Sequence, residues 1–409
     1  MKCLLHTFGC RVNQAETEEL RARLAAAGCA PACSLAEADL CIVNTCTVTR
    51  DADREALKFL RRAGRENPTA RLVVTGCLAA RAPEKIREAA PRAQVVADDD
   101  KDSLPGVLRL PSCEPHPAGQ DRARALLKVQ DGCDGSCAYC IVPQVRPHPR
   151  SLSLAAVENR VRGLVAAGIP EIVLCGIRLG RYRHVDVGLA GLIERLLLIP
   201  GAFRLRLSSL EIHEADDALA GLIAGSSGRV CPHLHLPLQS GSDATLRRMN
   251  RPYRAADFAR RAEALRRQVP ALALFTDIIT GFPGETEAES RESLAFVQGL
   301  SLRGLHVFRY SAREGTPAAS LPDQVPAAAT RERLAQWLEL DRDLRRRQAR
   351  EAVGQERIAV PWKTGREAVT EDFLTVRLDR SPGLGLWRVK VTGAEGGKVR
   401  AQVMGLAGT

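Results

Sequence analysis

"RALLKVQDGCDGSCAYC", from Arg124 to Cys140, sets an apolar run directly against three cysteines, Cys133, Cys137 and Cys140, that fall within eight residues. The run "RALLKVQ" reads as a strand, since it is short, mostly apolar and ended by the glycines of the next segment. Five more strand candidates follow it: "EIVLCG" from Glu171, "FRLRLSS" from Phe203, "HLHLPLQ" from His233, "LFTDIITGF" from Leu274 and "GLHVFRYS" from Gly304. A helix-like segment separates each from the next. Six such units over about 200 residues favour an α/β barrel or a partial (β/α)6 barrel, whose active site lies at the carboxyl ends of its strands. The three cysteines sit in the first of those βα loops.

The segments on either side have different periods. Towards the N-terminus, "CLLHTF", "LCIVN" and "RLVVT" alternate with amphipathic stretches such as "EELRARLAAAG" and "DREALKFLRRAG". Continuous apolar runs between helices indicate an open parallel sheet covered on its faces. Between residues 98 and about 120, Pro, Gly and charge dominate "DDDKDSLPG" and "PSCEPHPAGQ", which reads as a linker. Beyond the barrel a charged helix covers 331–351, and after it "RIAV", "FLTVRL", "WRVKVT" and "VRAQVM" alternate between turns as a small β-barrel does. The fold class is α/β, in three domains: 1–112, 119–350 and 351–409.

Composition narrows the function classes. At 409 residues and 45% hydrophobic content the chain can bury a sizeable core. No apolar run approaches the roughly 18 residues that cross a bilayer, and "MKCLLHTFGCRVNQ" lacks a signal-peptide pattern, so a cytoplasmic protein without a membrane partner is expected. In a reducing cytosol its 13 cysteines are buried thiols, catalytic groups or metal ligands. A net charge of +11 is compatible with a polyanion such as RNA. The ratio of 51 Arg to 8 Lys in an Ala-rich chain equally reflects biased composition.

Clustered thiolates suit zinc or an iron–sulfur cluster. Structural zinc closes its shell with four ligands, and His148 is the candidate fourth. Three cysteines on a tight loop suit a cubane better, because one iron stays open to a reactant. Gly132 and Gly135 let such a loop wrap closely. Cys10, Cys46 and Cys77 lie far apart in sequence, yet each falls just past one of the three N-terminal strands. The carboxyl ends of neighbouring strands line one crevice, so a second three-cysteine site is expected there. The alternative for each is a small buried hydrophobe. Cys3, Cys29, Cys33, Cys41, Cys113, Cys175 and Cys231 are read as non-ligands.

The Cys-x3-Cys-x2-Cys spacing, with Tyr139 before its last cysteine, resembles the radical S-adenosylmethionine (SAM) motif. Along nearly its whole length the chain is similar to the methylthiotransferases of that superfamily, through "TFGCRVNQAETE", "NTCTVT", "VTGC", "CDGSCAYCIVPQVR", "HLHLPLQSGSDATLRRMNR", "DIITGFPGETEAE" and "RYSAREGTPAA". The resemblance implies that Cys133, Cys137 and Cys140 hold a 4Fe-4S cluster whose open iron chelates SAM, which is cleaved to a 5′-deoxyadenosyl radical. It implies that Cys10, Cys46 and Cys77 hold an auxiliary 4Fe-4S cluster carrying the sulfur, which a second SAM methylates. Tyr139, Ser209, Glu211, Gln239 and Ser240 become SAM-binding candidates. For Tyr139 the alternative is packing under the loop, and for Glu211 a surface carboxylate. Gly281, Gly284 and Glu285 are expected to shape a turn, and Asp277 could support the neighbouring loop. An electron donor such as flavodoxin or ferredoxin is also implied.

The C-terminal barrel resembles the TRAM domain, most closely in "EAVTEDFLTVRL". Trp362, Phe373 and Trp387 can stack RNA bases or fill its core. Arg345, Arg346 and Arg347 on the preceding helix can grip phosphates or form a solvated face. Among the substrates that the resemblance implies, "GCRVNQAE" and "NTCTVT" favour tRNA carrying N6-threonylcarbamoyladenosine beside the anticodon. The alternatives are tRNA carrying isopentenyladenosine ("GCQMN"), a ribosomal-protein aspartate ("GCPKN"), and more remotely a non-enzymatic zinc and RNA-binding protein. Pro147, Arg178 and Arg309 depart from the family pattern, and the departures bear on substrate choice.

Overall fold

Ala30–Pro31, Lys2–Thr7, Leu40–Thr45, Arg71–Gly76 and Gln94–Val95 lie side by side in that order as one parallel sheet, in a computed structural model that describes residues 1–97, 104–109, 123–362 and 365–407. Leu40–Thr45 is buried along its whole length because a strand flanks it on each side. The helix Arg50–Glu66 covers the sheet with Ala56, Leu60 and Ala63, and Thr49 caps it by accepting from the Ala52 N–H at 3.2 Å. Most of the expected linker, with Cys113, lies outside the described residues; within it Leu104–Val107 is one helical turn.

The chain divides into two packed units. The first comprises Met1–Gln120, Asp131–Arg150 and Ser311–Ala319, so the cysteine loop packs with the N-terminal sheet. The second comprises Asp121–Gln130, Ser151–Tyr310 and Ser320–Thr409.

In the second unit the six expected strands form two parallel sheets. Arg124–Asp131, Glu171–Gly176 and Arg204–Leu207 neighbour one another in one, and His233–His235, Ala273–Thr280 and Gly304–Arg309 in the other. A parallel bridge between Leu205 and Val230 joins them. Among the described residues no ladder closes Gly304–Arg309 onto Arg124–Asp131, so the barrel is partial, as expected. Alternation along the strands sorts the faces. Leu127, Val129, Ile172, Leu174, Leu205 and Leu207 belong to the large apolar core, while Glu171, Arg204, Arg206 and His233 occupy the opposite register and are buried too.

The helix Ala327–Ala352 lies along Gly304–Arg309 and buries Trp337 and Leu344, with Asp341 Oδ1 accepting from the Leu305 N–H at 2.7 Å. Arg345 pairs with Asp341 at 2.8 Å and Arg346 with Asp343 at 3.3 Å, the arrangement of a solvated helix face. Five strands then close into a small barrel, ordered Glu356–Pro361, Glu367–Thr370, Thr375–Leu378, Lys398–Leu406 and Trp387–Glu395. Glu367–Thr370 is a strand that the alternation did not separate from its turn.

This small barrel docks against the amino ends of the larger barrel's strands. Glu171, fully buried, receives Arg204 Nε at 2.7 Å and Arg206 Nε at 2.9 Å, and also pairs with Arg124. The same guanidiniums reach across: Arg204 donates to the Ile358 carbonyl at 2.6 Å and the Val369 carbonyl at 3.1 Å, and Arg206 to those of Thr370 at 2.8 Å and Glu371 at 3.0 Å. Phe373, at φ +66°, sets its ring 4.6 Å from that of His233, with Arg206 5.2 Å from its centroid. Of the three barrel aromatics, Phe373 therefore serves this docking, Trp387 packs against the small core, and Trp362 stays exposed.

Candidate functional site

Sheet register brings the three N-terminal cysteine positions level. Thr7 pairs with Asn44, and Asn44 with Thr75, so Cys10, Cys46 and Cys77 lie two or three residues beyond this level, past the ends of adjacent strands. Cys10 is the N-cap of the helix Arg11–Ala26, and Cys77 opens the helix Cys77–Arg81. Burial above all, with the neighbouring Cys77 and Cys10 adding to it and a hydrogen bond from the Val48 N–H opposing it, holds the Cys46 thiol up at about 12. The three thiols thus feel one another. Gly9, at φ +96°, touches this group, and a Cβ there would lie 2.7 Å from Cys46 Sγ. Asn13 pins the strand ends, donating to the Phe8 carbonyl at 2.9 Å and the Thr45 carbonyl at 3.0 Å.

The loop with Cys133, Cys137 and Cys140 belongs to the same unit. Gly132 turns the chain at φ +73°, and a Cβ there would meet the His148 carbonyl oxygen at 2.2 Å. The Gly135 N–H donates to Cys133 Sγ at 3.3 Å, and the Cys140 N–H to the Cys137 carbonyl at 3.1 Å. All six cysteines are unbridged. Amide donors on sulfur, glycine cradles and three thiols to each group fit iron–sulfur ligation, in which hydrogen bonds to sulfur are a principal control. His148, the candidate fourth zinc ligand, is exposed. The segment Ser311–Ala319 joins the two cysteine groups: the Ala318 N–H donates to the Ala138 carbonyl at 2.8 Å, and buried Arg313 donates to Thr47 Oγ1 at 2.7 Å and to Asp53 at 2.5 Å. Tyr139 is half-buried in the loop.

One residue of this unit had no role assigned from the sequence. Arg146, 2% exposed, donates from Nε to Cys77 Sγ at 3.4 Å. Its Nη1 reaches Glu16 at 2.9 Å and Asp131 at 2.6 Å, and its Nη2 reaches Asn13 Oδ1 at 3.0 Å. Its own carbonyl accepts the Cys133 N–H at 3.0 Å. Its position in "VPQVR", just past a cysteine loop, was the available signal.

In the second unit the SAM-binding candidates separate into two kinds. Ser209 and Gln239 stand at strand ends. Gln239 adopts φ +73°, and its buried Oε1 has no hydrogen-bond partner among the described residues. Glu211 pairs with Arg251, which Tyr253 also holds, so it is no isolated surface carboxylate. Ser240 turns into its own loop, with Oγ accepting from the Ser242 N–H at 3.2 Å and lying 3.4 Å from Ser293 Oγ. Glu285 accepts from the Gly281 N–H at 2.7 Å and from Arg333 at 2.9 Å, which shapes the turn. Of the departures from the family pattern, Arg178 donates to Glu214 at 2.7 Å, while Pro147 and Arg309 are exposed.

Asp277 does not support the neighbouring loop through its side chain. His235 Nε2 donates to its Oδ1 at 2.9 Å, and His306 Nδ1 lies 3.3 Å from the same oxygen. On its other side His235 Nδ1 lies 2.5 Å from Ser209 Oγ. Asp277 and His306 are register partners on adjacent strands, a meeting that strand order decides and sequence spacing does not. Burial raises the Asp277 pKa, but the hydrogen bonds and charge of His235 and His306 outweigh it and bring it down to about 2. A carboxyl depressed in the folded state contributes stability that is complete above its unfolded value near 3.8 and is lost as pH falls towards 2. The expected contribution is about 2 kcal/mol. The urea midpoint of the native chain should exceed that of Asp277→Asn at pH 5, and the gap should narrow below the unfolded value and close only towards pH 2; a constant difference would contradict the assignment.

Comparison with known proteins matches residues 2–98 to "Uncharacterized protein family UPF0004" and residues 127–297 to the radical SAM superfamily. The threonylcarbamoyladenosine tRNA methylthiotransferase MtaB of Thermotoga maritima is 34% identical, with 88% of this chain and 86% of that protein covered. Its counterpart in Bacillus subtilis is 35% identical over 90% and 86%. A tRNA-2-methylthio-N(6)-dimethylallyladenosine synthase of Endomicrobium trichonymphae is 33% identical over 80% of each chain. Among solved structures, the radical SAM methyltransferase TsrM of Kitasatospora setae shares the fold, with a TM-score of 0.58 at 16% identity over 78% of this chain and 77% of that one. Among the described residues, no helix is long and apolar enough to cross a membrane.

Proposed function

We propose that this chain, which belongs to the radical SAM methylthiotransferase family, adds a methylthio group to C2 of N6-threonylcarbamoyladenosine beside the anticodon of tRNA, giving 2-methylthio-N6-threonylcarbamoyladenosine. The observation that carries the reading is the packing of two three-thiol groups, Cys10, Cys46, Cys77 and Cys133, Cys137, Cys140, into one unit. Bound there, two 4Fe-4S clusters and SAM supply the reductive cleavage of SAM and the attachment point for sulfur. Cys133, Cys137 and Cys140 hold one cluster, on a loop kept tight by Gly132, and Cys10, Cys46 and Cys77 hold the other. Ser209, Glu211 and Gln239 orient SAM, each fixed by a partner of its own: His235, Arg251, and the backbone of Asp277 and Ile279. Ser240 and Tyr139 are the further SAM contacts proposed.

The choice of substrate rests on "GCRVNQAE" and "NTCTVT" and on the relatives named for that reaction. The small C-terminal barrel is read as TRAM-like, meeting RNA with its basic side chains and exposed Trp362. A flavodoxin or ferredoxin is the class of donor proposed, and the cytoplasm, where tRNA resides, is the proposed location. The test supplies the anaerobically reconstituted enzyme with SAM, dithionite and one of three substrates: tRNA bearing N6-threonylcarbamoyladenosine, tRNA bearing isopentenyladenosine, or a ribosomal protein. Mass spectrometry of the digests should show a methylthio group on the first alone. Modification of another substrate in its place would reassign the specificity, and modification of none would remove it.

A further inference from the structure

Arg146 touches a cysteine from each group. Its side chain donates to Cys77 Sγ at 3.4 Å, and its carbonyl accepts the Cys133 N–H at 3.0 Å. The guanidinium is 2% exposed and is held by two carboxylates, Glu16 and Asp131, and by Asn13 Oδ1. Arginine keeps its charge when buried, and a fixed N–H pointed at a thiolate sulfur differs from water in neither reorienting nor leaving. An iron–sulfur cluster gains negative charge on reduction, so a buried cation and an N–H···S bond at one ligand favour the reduced form. The two carboxylates set the opposite bias.

We propose that Arg146 is a positioning residue for the auxiliary cluster: through Cys77 it raises that cluster's reduction potential, and Glu16 limits the rise. The inference rests on the two-cluster reading of the proposed function. The step concerned is addition of one electron to the cluster, with no bond made or broken. In Arg146→Gln the positive charge is gone while Glu16 and Asp131 remain, so the cluster becomes harder to reduce. In Glu16→Gln the guanidinium is less neutralised, so it becomes easier to reduce. A residue that only holds the loops together does not give opposite signs in these two variants.

The experiment is an EPR-monitored redox titration with dithionite on the reconstituted full chain, assigning the signal that changes with added SAM to the Cys133 cluster and the other to the auxiliary cluster. Arg146→Gln should lower the auxiliary reduction equilibrium at least tenfold, about 59 mV for one electron, and Glu16→Gln should raise it. The SAM-sensitive signal should move less in both. An unchanged auxiliary potential in Arg146→Gln at full iron content overturns the proposal. Where Arg146→Gln loses iron, Arg146→Lys and Glu16→Gln decide: Glu16→Gln without an upward shift overturns it, and an upward shift with Arg146→Lys close to the native value supports it. A native chain that holds only about four irons instead overturns the two-cluster reading itself, which separates the two failures.

Discussion

Changing Cys10, Cys46 and Cys77 together to Ala should lower the iron of the reconstituted chain from about eight to about four and abolish methylthio transfer, while SAM is still cleaved to 5′-deoxyadenosine. The division follows from where the thiols lie. The three altered residues follow adjacent strands of the N-terminal sheet, whereas Cys133, Cys137 and Cys140 occupy a loop whose turn depends on Gly132 and on the Arg146 carbonyl. Cys46 and Cys77 are buried, but Cys to Ala removes a single sulfur from each, a smaller change than truncating a large core side chain. Loss of transfer should exceed the 10- to 100-fold typical of disturbing a partner beyond the metal ligands. Iron and labile sulfide, with separate assays of 5′-deoxyadenosine and modified nucleoside, make the measurement. Iron remaining near eight would sink the assignment of these three cysteines. Loss of SAM cleavage together with transfer would show that the two groups do not act separately.

What the sequence could reveal depended on the range of each interaction. Strand ends are local: "CLLHTF", "LCIVN" and "RLVVT" each mark a boundary, so the position of each cysteine was readable before the register was known. That Thr7, Asn44 and Thr75 stand level is a property of strand order, and only the folded sheet supplies it. The same limit hid the Ser209, His235, Asp277 and His306 chain, whose members sit on four strands or strand ends. Arg146 stood in a motif that carried the resemblance, but its partners Glu16 and Asn13 lie about 130 residues earlier in the chain. "RLRL" shows the same limit at the other end of a strand. Strict alternation suggests a half-buried strand with its arginines in water, yet Arg204 and Arg206 are both buried because the small barrel covers that end.

Those arginines set the largest stability effect expected in the second unit. Glu171→Gln should cost about 3–5 kcal/mol, the usual penalty for breaking a buried ion group from one side. Burial works against the Glu171 charge, but Arg206, Arg204 and Arg124 outweigh it and hold the carboxyl well below the usual carboxylate range. Its contribution is therefore complete above the ordinary carboxylate pKa and is lost only as pH falls well below that range. With glutamine in place, the guanidiniums keep their bonds to the Ile358, Val369, Thr370 and Glu371 carbonyls but lose the carboxylate that lies between them. The loss should loosen the docked barrel before it unfolds the core, since Val389, Val391 and Ala401 form a separate small cluster. Urea unfolding of Glu171→Gln beside Arg124→Ala separates charge from packing. Arg124 is partly exposed and makes the most dispensable of the three pairs, so its removal should cost clearly less. A Glu171→Gln chain within about 1 kcal/mol of the native one would show that solvent or the carbonyls alone satisfy the arginines, and that the carboxylate is not what holds this end of the barrel closed.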